Sequence, residues 1–93
     1  MNLNELKELN RYCFKSDWLD MKIVKIISQY IPYFNDRFVW KVTFFGVFEN
    51  GESVILASPE FCSREHRNEI INEQREKLKK IVGKTLQEGY REV

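Results

Sequence analysis

The chain has 93 residues, 43% hydrophobic and 14% aromatic, with 31% charged residues and a net charge of +1. That length suits one core and is too short for two self-supporting ones, so residues 1–93 are expected to form a single domain. The balanced charge argues against a dedicated polyanion binder, the large apolar residues against disorder, and the broken apolar runs against a helix of the roughly 20 residues that span a membrane.

Asn2 and Glu5 have the spacing of a helix N-terminus, and Leu3, Leu6, Leu9 and Cys13 share one face of the helix that follows. A helix is therefore expected from Leu3 to about Phe14. The same N-terminus is acidic where a secretion signal is basic, which predicts an intracellular, cytoplasmic protein in which Cys13 and Cys62 stay reduced and pack as small apolar groups.

Ser16-Asp17 breaks the helical spacing, and β-branched and aromatic residues take over from Met21. Three strands are expected, at Met21–Ile31, Arg37–Phe48 and Ser53–Ala57. Pro32 to Asp36 forms the first turn and Asn50-Gly51 the second, the latter as a two-residue loop of type I′. Ser58-Pro59-Glu60 has the chemistry of a helix start, with Ser63 as a second option one turn later. A long helix follows with Ile70, Ile71, Gln74, Leu78, Ile81 and Val82 on its apolar stripe, Glu73/Lys77 and Glu76/Lys80 as i,i+4 pairs, and Gly83 as its stop. The fold class is thus α+β: an N-terminal helix, a three-stranded antiparallel sheet and a long C-terminal helix, in the order αβββα.

A two-residue loop at Asn50-Gly51 sets Val47 opposite Val54 and Phe45 opposite Leu56. Trp40, Val42, Phe44 and Phe48 then lie under the long helix, joined by Ile23, Ile27 and Ile31 if the first hairpin closes at Asn35-Asp36. The other face shows Val24, Ile26, Phe45, Val47, Val54 and Leu56, an apolar surface that needs a second cover. The first helix, a second copy of the chain and a heterologous partner are the three candidates. At the far end of this face the same register gathers Tyr30, Arg37, Lys41, Ser28 and Thr43, a mixture of stacking and cationic groups that suits a phosphate or a base.

Chemistry-bearing residues are sparse. Cys62 and His66 share a helical face, but no third or fourth convergent ligand is visible for a metal and no orienting group for a nucleophile, so no catalytic residue, metal or cofactor is expected. Glu49 and Glu52 flank a turn and are expected to be solvated.

The long helix carries a basic stretch, Arg75, Lys77, Lys79, Lys80 and Lys84, and Arg64 and Arg67 stand at its start. In element order the chain resembles double-stranded-RNA-binding domains between Lys22 and Val82. The resemblance implies that Arg64 and Arg67 occupy the place where that family's cations meet phosphates. It is one of topology alone, since Ser63 to Ile71 lacks the family's lysine cluster and alanine-rich helix. Few Gly, Pro and Ala residues beside many Phe, Tyr, Ile, Asn and Lys suggest an AT-rich coding sequence, a composition similar to that of accessory proteins of phages and mobile elements.

Together these features predict a small non-catalytic protein, homodimeric, that binds and modulates a protein or ribonucleoprotein target as inhibitors and adaptors do. The alternative is a sequence-nonspecific RNA-binding domain using Tyr30, Arg37, Lys41, Arg64, Arg67, Lys79, Lys80 and Lys84.

Overall fold

The computed structural model describes residues 2–32, 40–61 and 64–90. It has the expected α+β architecture: an N-terminal helix, an antiparallel sheet and a C-terminal helix. The expected turn at Asn35-Asp36 and the residues Arg37, Cys62 and Ser63 lie outside the described residues.

Helix α1 (Leu3–Leu9) starts as expected, with Asn2 Oδ1 accepting the Glu5 N–H at 2.9 Å. It stops at Asn10 and does not reach Phe14, because the Asn10 side chain bonds backbone elsewhere, a competition that makes asparagine a poor helix-interior residue. Only Leu6 of the expected stripe is fully buried, and Cys13 is exposed instead of packed. A short 3-10 turn, Ser16–Asp20, then carries Trp18 into the core, where its ring stacks on Phe48 at 5.4 Å.

The sheet consists of β1 (Ile23–Pro32), β2 (Trp40–Phe48), β3 (Ser53–Ala57) and the short β4 (Glu60–Phe61). β1 pairs with one side of β2, while β3 and β4 follow one another along the other. Glu60-Phe61 is therefore a strand segment, not a first helical turn. Its Phe61 side chain is buried, and the backbone of Pro59 accepts a hydrogen bond from Val42 N–H at 3.2 Å.

Both registers differ by one residue from those expected over most of their length, although a shift between Phe44 and Phe45 restores the expected pairing of Phe44 with Ala57. At the second turn Gly46 opposes Val54 and Val47 opposes Ser53, so the loop has three residues, Glu49-Asn50-Gly51. Phe48 N–H donates to Glu52 O at 2.8 Å, Gly51 N–H donates to Phe48 O at 3.0 Å, and Gly51 has φ +88°. This is a type I turn closed by a left-handed glycine, the next most common hairpin connection after the two-residue loop. At the first hairpin Tyr30 opposes Val42 and Ile27 opposes Phe45, and a bulge at Val24 then restores Ile23 to a place opposite Phe48.

A slip of one residue sends every side chain to the other face. Val54 and Leu56 accordingly lie in the core with Val42, Phe44, Phe48 and Ile23, all almost completely buried, and Ile26 packs against them. Phe45, Val47 and Ile27 fall on the opposite face. The six residues expected to form one exposed surface are thus divided between two faces and a bulge.

Helix α2 (Arg64–Leu78) crosses the core face and passes into a 3-10 turn, Lys79–Ile81. Leu78 and Ile81 are buried, Ile70 and Ile71 are partly buried, and Val82 is 41% exposed. The helical path ends at Ile81, short of the expected stop, and Gly83, with φ +87°, lies in the turn just beyond, where Lys84 N–H donates to Ile81 O at 3.0 Å. Leu86 does not prolong it but belongs to a separate helix, α3 (Leu86–Gly89), which has a full capping box between Thr85 and Glu88. Leu6, Trp18 and Leu86 all join the core beneath this one face, so α1 does not form a third layer over the other.

Candidate functional site

The two long edges of the sheet differ. On the β3 side the Asn10 carboxamide, 2% exposed, acts as a substitute strand: its Oδ1 accepts from Ile55 N–H at 2.8 Å, and its Nδ2 donates to Ile55 O and to Leu6 O, both at 2.9 Å. Lys15 and Asn50 both bond Glu52 at the adjoining turn, and these hydrogen bonds, that of Lys15 first, hold the Glu52 carboxyl below its ordinary range. The expected solvated carboxylate is therefore a fastener between the turn and the segment after α1.

On the β1 side only the first residue is closed. Gly83 N–H donates to Ile23 O at 2.8 Å and Ile23 N–H donates to Lys84 O at 3.0 Å. From Val24 to Gln29, none of the described backbone groups of β1 bonds outside its ladder with β2. An edge strand turns alternate N–H and C=O groups away from its neighbour, which makes it a template for another extended chain. The side chains along it are mostly uncharged: Val24 and Ile27 are 49% and 45% exposed, and Lys25 carries the one formal charge within the strand.

Beside this edge a groove of about 630 Å³ runs between β1 and α2. Ile26 and Ser28 form its strand side, with Phe44 at its base and Val82 at one end. Its other wall is Asn72, Arg75, Glu76 and Lys79. Those four positions follow i, i+3, i+4 and i+7 spacing, which places them on one helical face. Lys79 pairs with Glu76 at 3.4 Å, whereas Arg75 Nη2 donates to the neutral Ser28 Oγ at 3.2 Å and has no carboxylate partner among the described residues.

The residues expected to contact nucleic acid do not converge. Tyr30 lies on the core face opposite Val42, with the Arg67 guanidinium 4.4 Å over its ring and Phe61 stacked at 6.4 Å. Two of the protein's own side chains thus already lie against the ring. Lys41 opposes Ile31 and lies on the other face of the sheet, because the register places Tyr30 and Lys41 out of phase. Arg64 opens α2, Lys79 and Lys80 are exposed on the 3-10 turn, and Lys84 is exposed beyond Gly83. His66 is exposed with Nδ1 3.8 Å from Glu69, and among the described residues no three His, Cys, Asp or Glu side chains gather as metal ligands.

Sequence reasoning counted Arg75 in a basic stretch and missed the groove. The 72, 75, 76, 79 spacing was legible, but nothing local shows that this polar face would stand against an open strand. No protein-family model, curated protein or solved structure matches the chain. Among the described residues no helix is long and apolar enough to cross a membrane.

Proposed function

We propose that the protein is a non-catalytic binding module that modulates a protein target by taking an extended segment of it along β1. The observation that carries this reading is the open β1 edge lying beside an apolar-based groove. A segment added there gains main-chain hydrogen bonds from the strand, while its alternate side chains enter the groove toward Ile26, Phe44 and Val82. The groove volume is in the range that encloses a few side chains and leaves the rest of the segment on the strand.

The test is selection of random ten-residue peptides on the full-length protein, followed by amide hydrogen exchange with an enriched peptide bound. Slowed exchange concentrated at residues 24–32 is expected. A bound peptide that slows exchange elsewhere and leaves these amides unchanged would overturn the reading.

A second reading, in which the occupant is another copy of this chain paired β1 to β1, draws support from the exposed Val24 and Ile27 on the same edge. Sedimentation separates the two. The module predicts a monomer at micromolar concentration that binds peptide, and self-pairing predicts a dimer that Ile27→Lys dissociates. The RNA-binding alternative draws less support, since its stacking residue, Tyr30, is already in contact with Arg67 and Phe61.

A further inference from the structure

We infer that the segment taken by the groove carries a carboxylate, which Arg75 holds beside an apolar side chain seated on Ile26 and Val82. The inference rests on the β1-edge reading and adds the chemistry of the ligand. Four ionic groups along α2 and the turn that continues it are already balanced in pairs, Glu73 with Lys77 and Glu76 with Lys79. Arg75 is different. Its guanidinium reaches across the groove to the Ser28 hydroxyl on β1, the strand the ligand must pair with, and it meets no carboxylate among the described residues.

A guanidinium has five N–H donors in a planar fork, and one hydroxyl engages a single donor. Its remaining donors suit the two oxygens of a carboxylate, and a charge-assisted pair of this kind is stronger than the neutral bond it accompanies. The apolar base explains why a bare anion is not the ligand. Ile26, Phe44 and Val82 gain nothing from an isolated anion, whereas an extended chain offers an apolar residue and a carboxylate together.

Glu76 gives the preference its sign. Because Lys79 neutralises it, the wall facing the strand carries the net charge of Arg75. A basic segment would set its charge against that guanidinium, and the groove is therefore selective for acidic over basic segments.

The experiment uses the full chain and the peptide pool already described, selected in parallel on the wild type, Arg75→Gln and Arg75→Glu. Arg75 is exposed on α2, so circular dichroism is expected to show all three equally folded. Wild-type selection should enrich peptides with an Asp, a Glu or a free C-terminus near an apolar residue. Arg75→Gln should weaken an enriched acidic peptide roughly tenfold to a hundredfold and leave its amide counterpart unchanged. Arg75→Glu should shift the selection toward Lys and Arg. Amidating the peptide's C-terminus assigns the carboxylate: retained binding places it on a side chain, and lost binding places it at the chain end.

Two results would overturn the inference in distinguishable ways. Peptides that protect β1 amides without any carboxylate preference remove the Arg75 assignment and leave the β1 edge standing. Peptides that never protect β1 remove both. A single-stranded RNA decamer that protects the same amides as tightly as the best peptide would replace the carboxylate with a phosphate.

Discussion

The two edges of the sheet face the same problem and solve it differently. An unpaired strand invites association, and β3 is closed by a carboxamide that takes both the N–H and the C=O of Ile55 and by the Glu52 contacts at its turn. β1 is twice as long and carries only a stub of closure, from Gly83 and Lys84 to Ile23. A chain that spends a fully buried asparagine on one edge and, among the described groups, leaves the other open from Val24 to Gln29 beside a groove treats the edges as different objects. One is structure and the other is surface.

The largest expected effect lies in the register that builds the closed edge. Leu56→Ala should cost about 2–5 kcal/mol because Leu56 is buried in the core, and Ile55→Ala, one residue away on the opposite face, no more than about 1 kcal/mol. Urea denaturation of both variants checks this. The reverse order would restore the two-residue turn.

Breaking the closure itself comes next. Asn10→Ala leaves the N–H and the C=O of Ile55 without their partner, at a cost of roughly 2–4 kcal/mol, and exposes a second edge. The variant should therefore be less stable in denaturant and also aggregate at concentrations where the wild type does not, as light scattering would show.

On the open edge the expectation reverses. Ile27→Lys should leave stability within about 0.5 kcal/mol, since the residue is 45% exposed. Binding of a selected peptide should nevertheless fall about tenfold, or about 1.4 kcal/mol by titration calorimetry, because a lysine on an edge opposes strand addition. Equal loss of stability and binding would show that β1 is part of the fold's support.

The smallest effect concerns the cleft behind the closed edge, which Tyr90 shares with Leu56 and Ala57. Burial pushes the Tyr90 hydroxyl up from 10 to about 12. A phenol whose folded value is raised contributes stability that is complete below the unfolded value and is lost as pH rises through the folded one. Stability should therefore decline between pH 10 and about pH 12, and Tyr90→Phe should reduce that decline in alkaline denaturation.

Much of the local structure was written in the sequence because its causes are local. Asn2 caps α1, Gly83 turns the chain just beyond the helical segment, and Ser53–Ala57 is a strand between a glycine turn and a proline, each fixed by the conformational preferences of a few neighbouring residues. The α+β order followed from those signals. The faces of the sheet did not, because apolar residues occupy both alternations: Ile26 and Ile27 on β1, and Val54, Ile55 and Leu56 on β3. With no polar alternate to vote, a two-residue and a three-residue turn at Asn50-Gly51 are equally consistent with the pattern, and they assign opposite faces. Only tertiary contacts decided between them. Asn10, forty-five residues away, holds Ile55, the bulge at Val24 brings Ile23 back over Phe48, and Leu56 then reaches the core. The open edge and its groove were settled by the same contacts, since which strand is left unpaired, and which helical face stands beside it, are properties of the assembled sheet and of no segment within it.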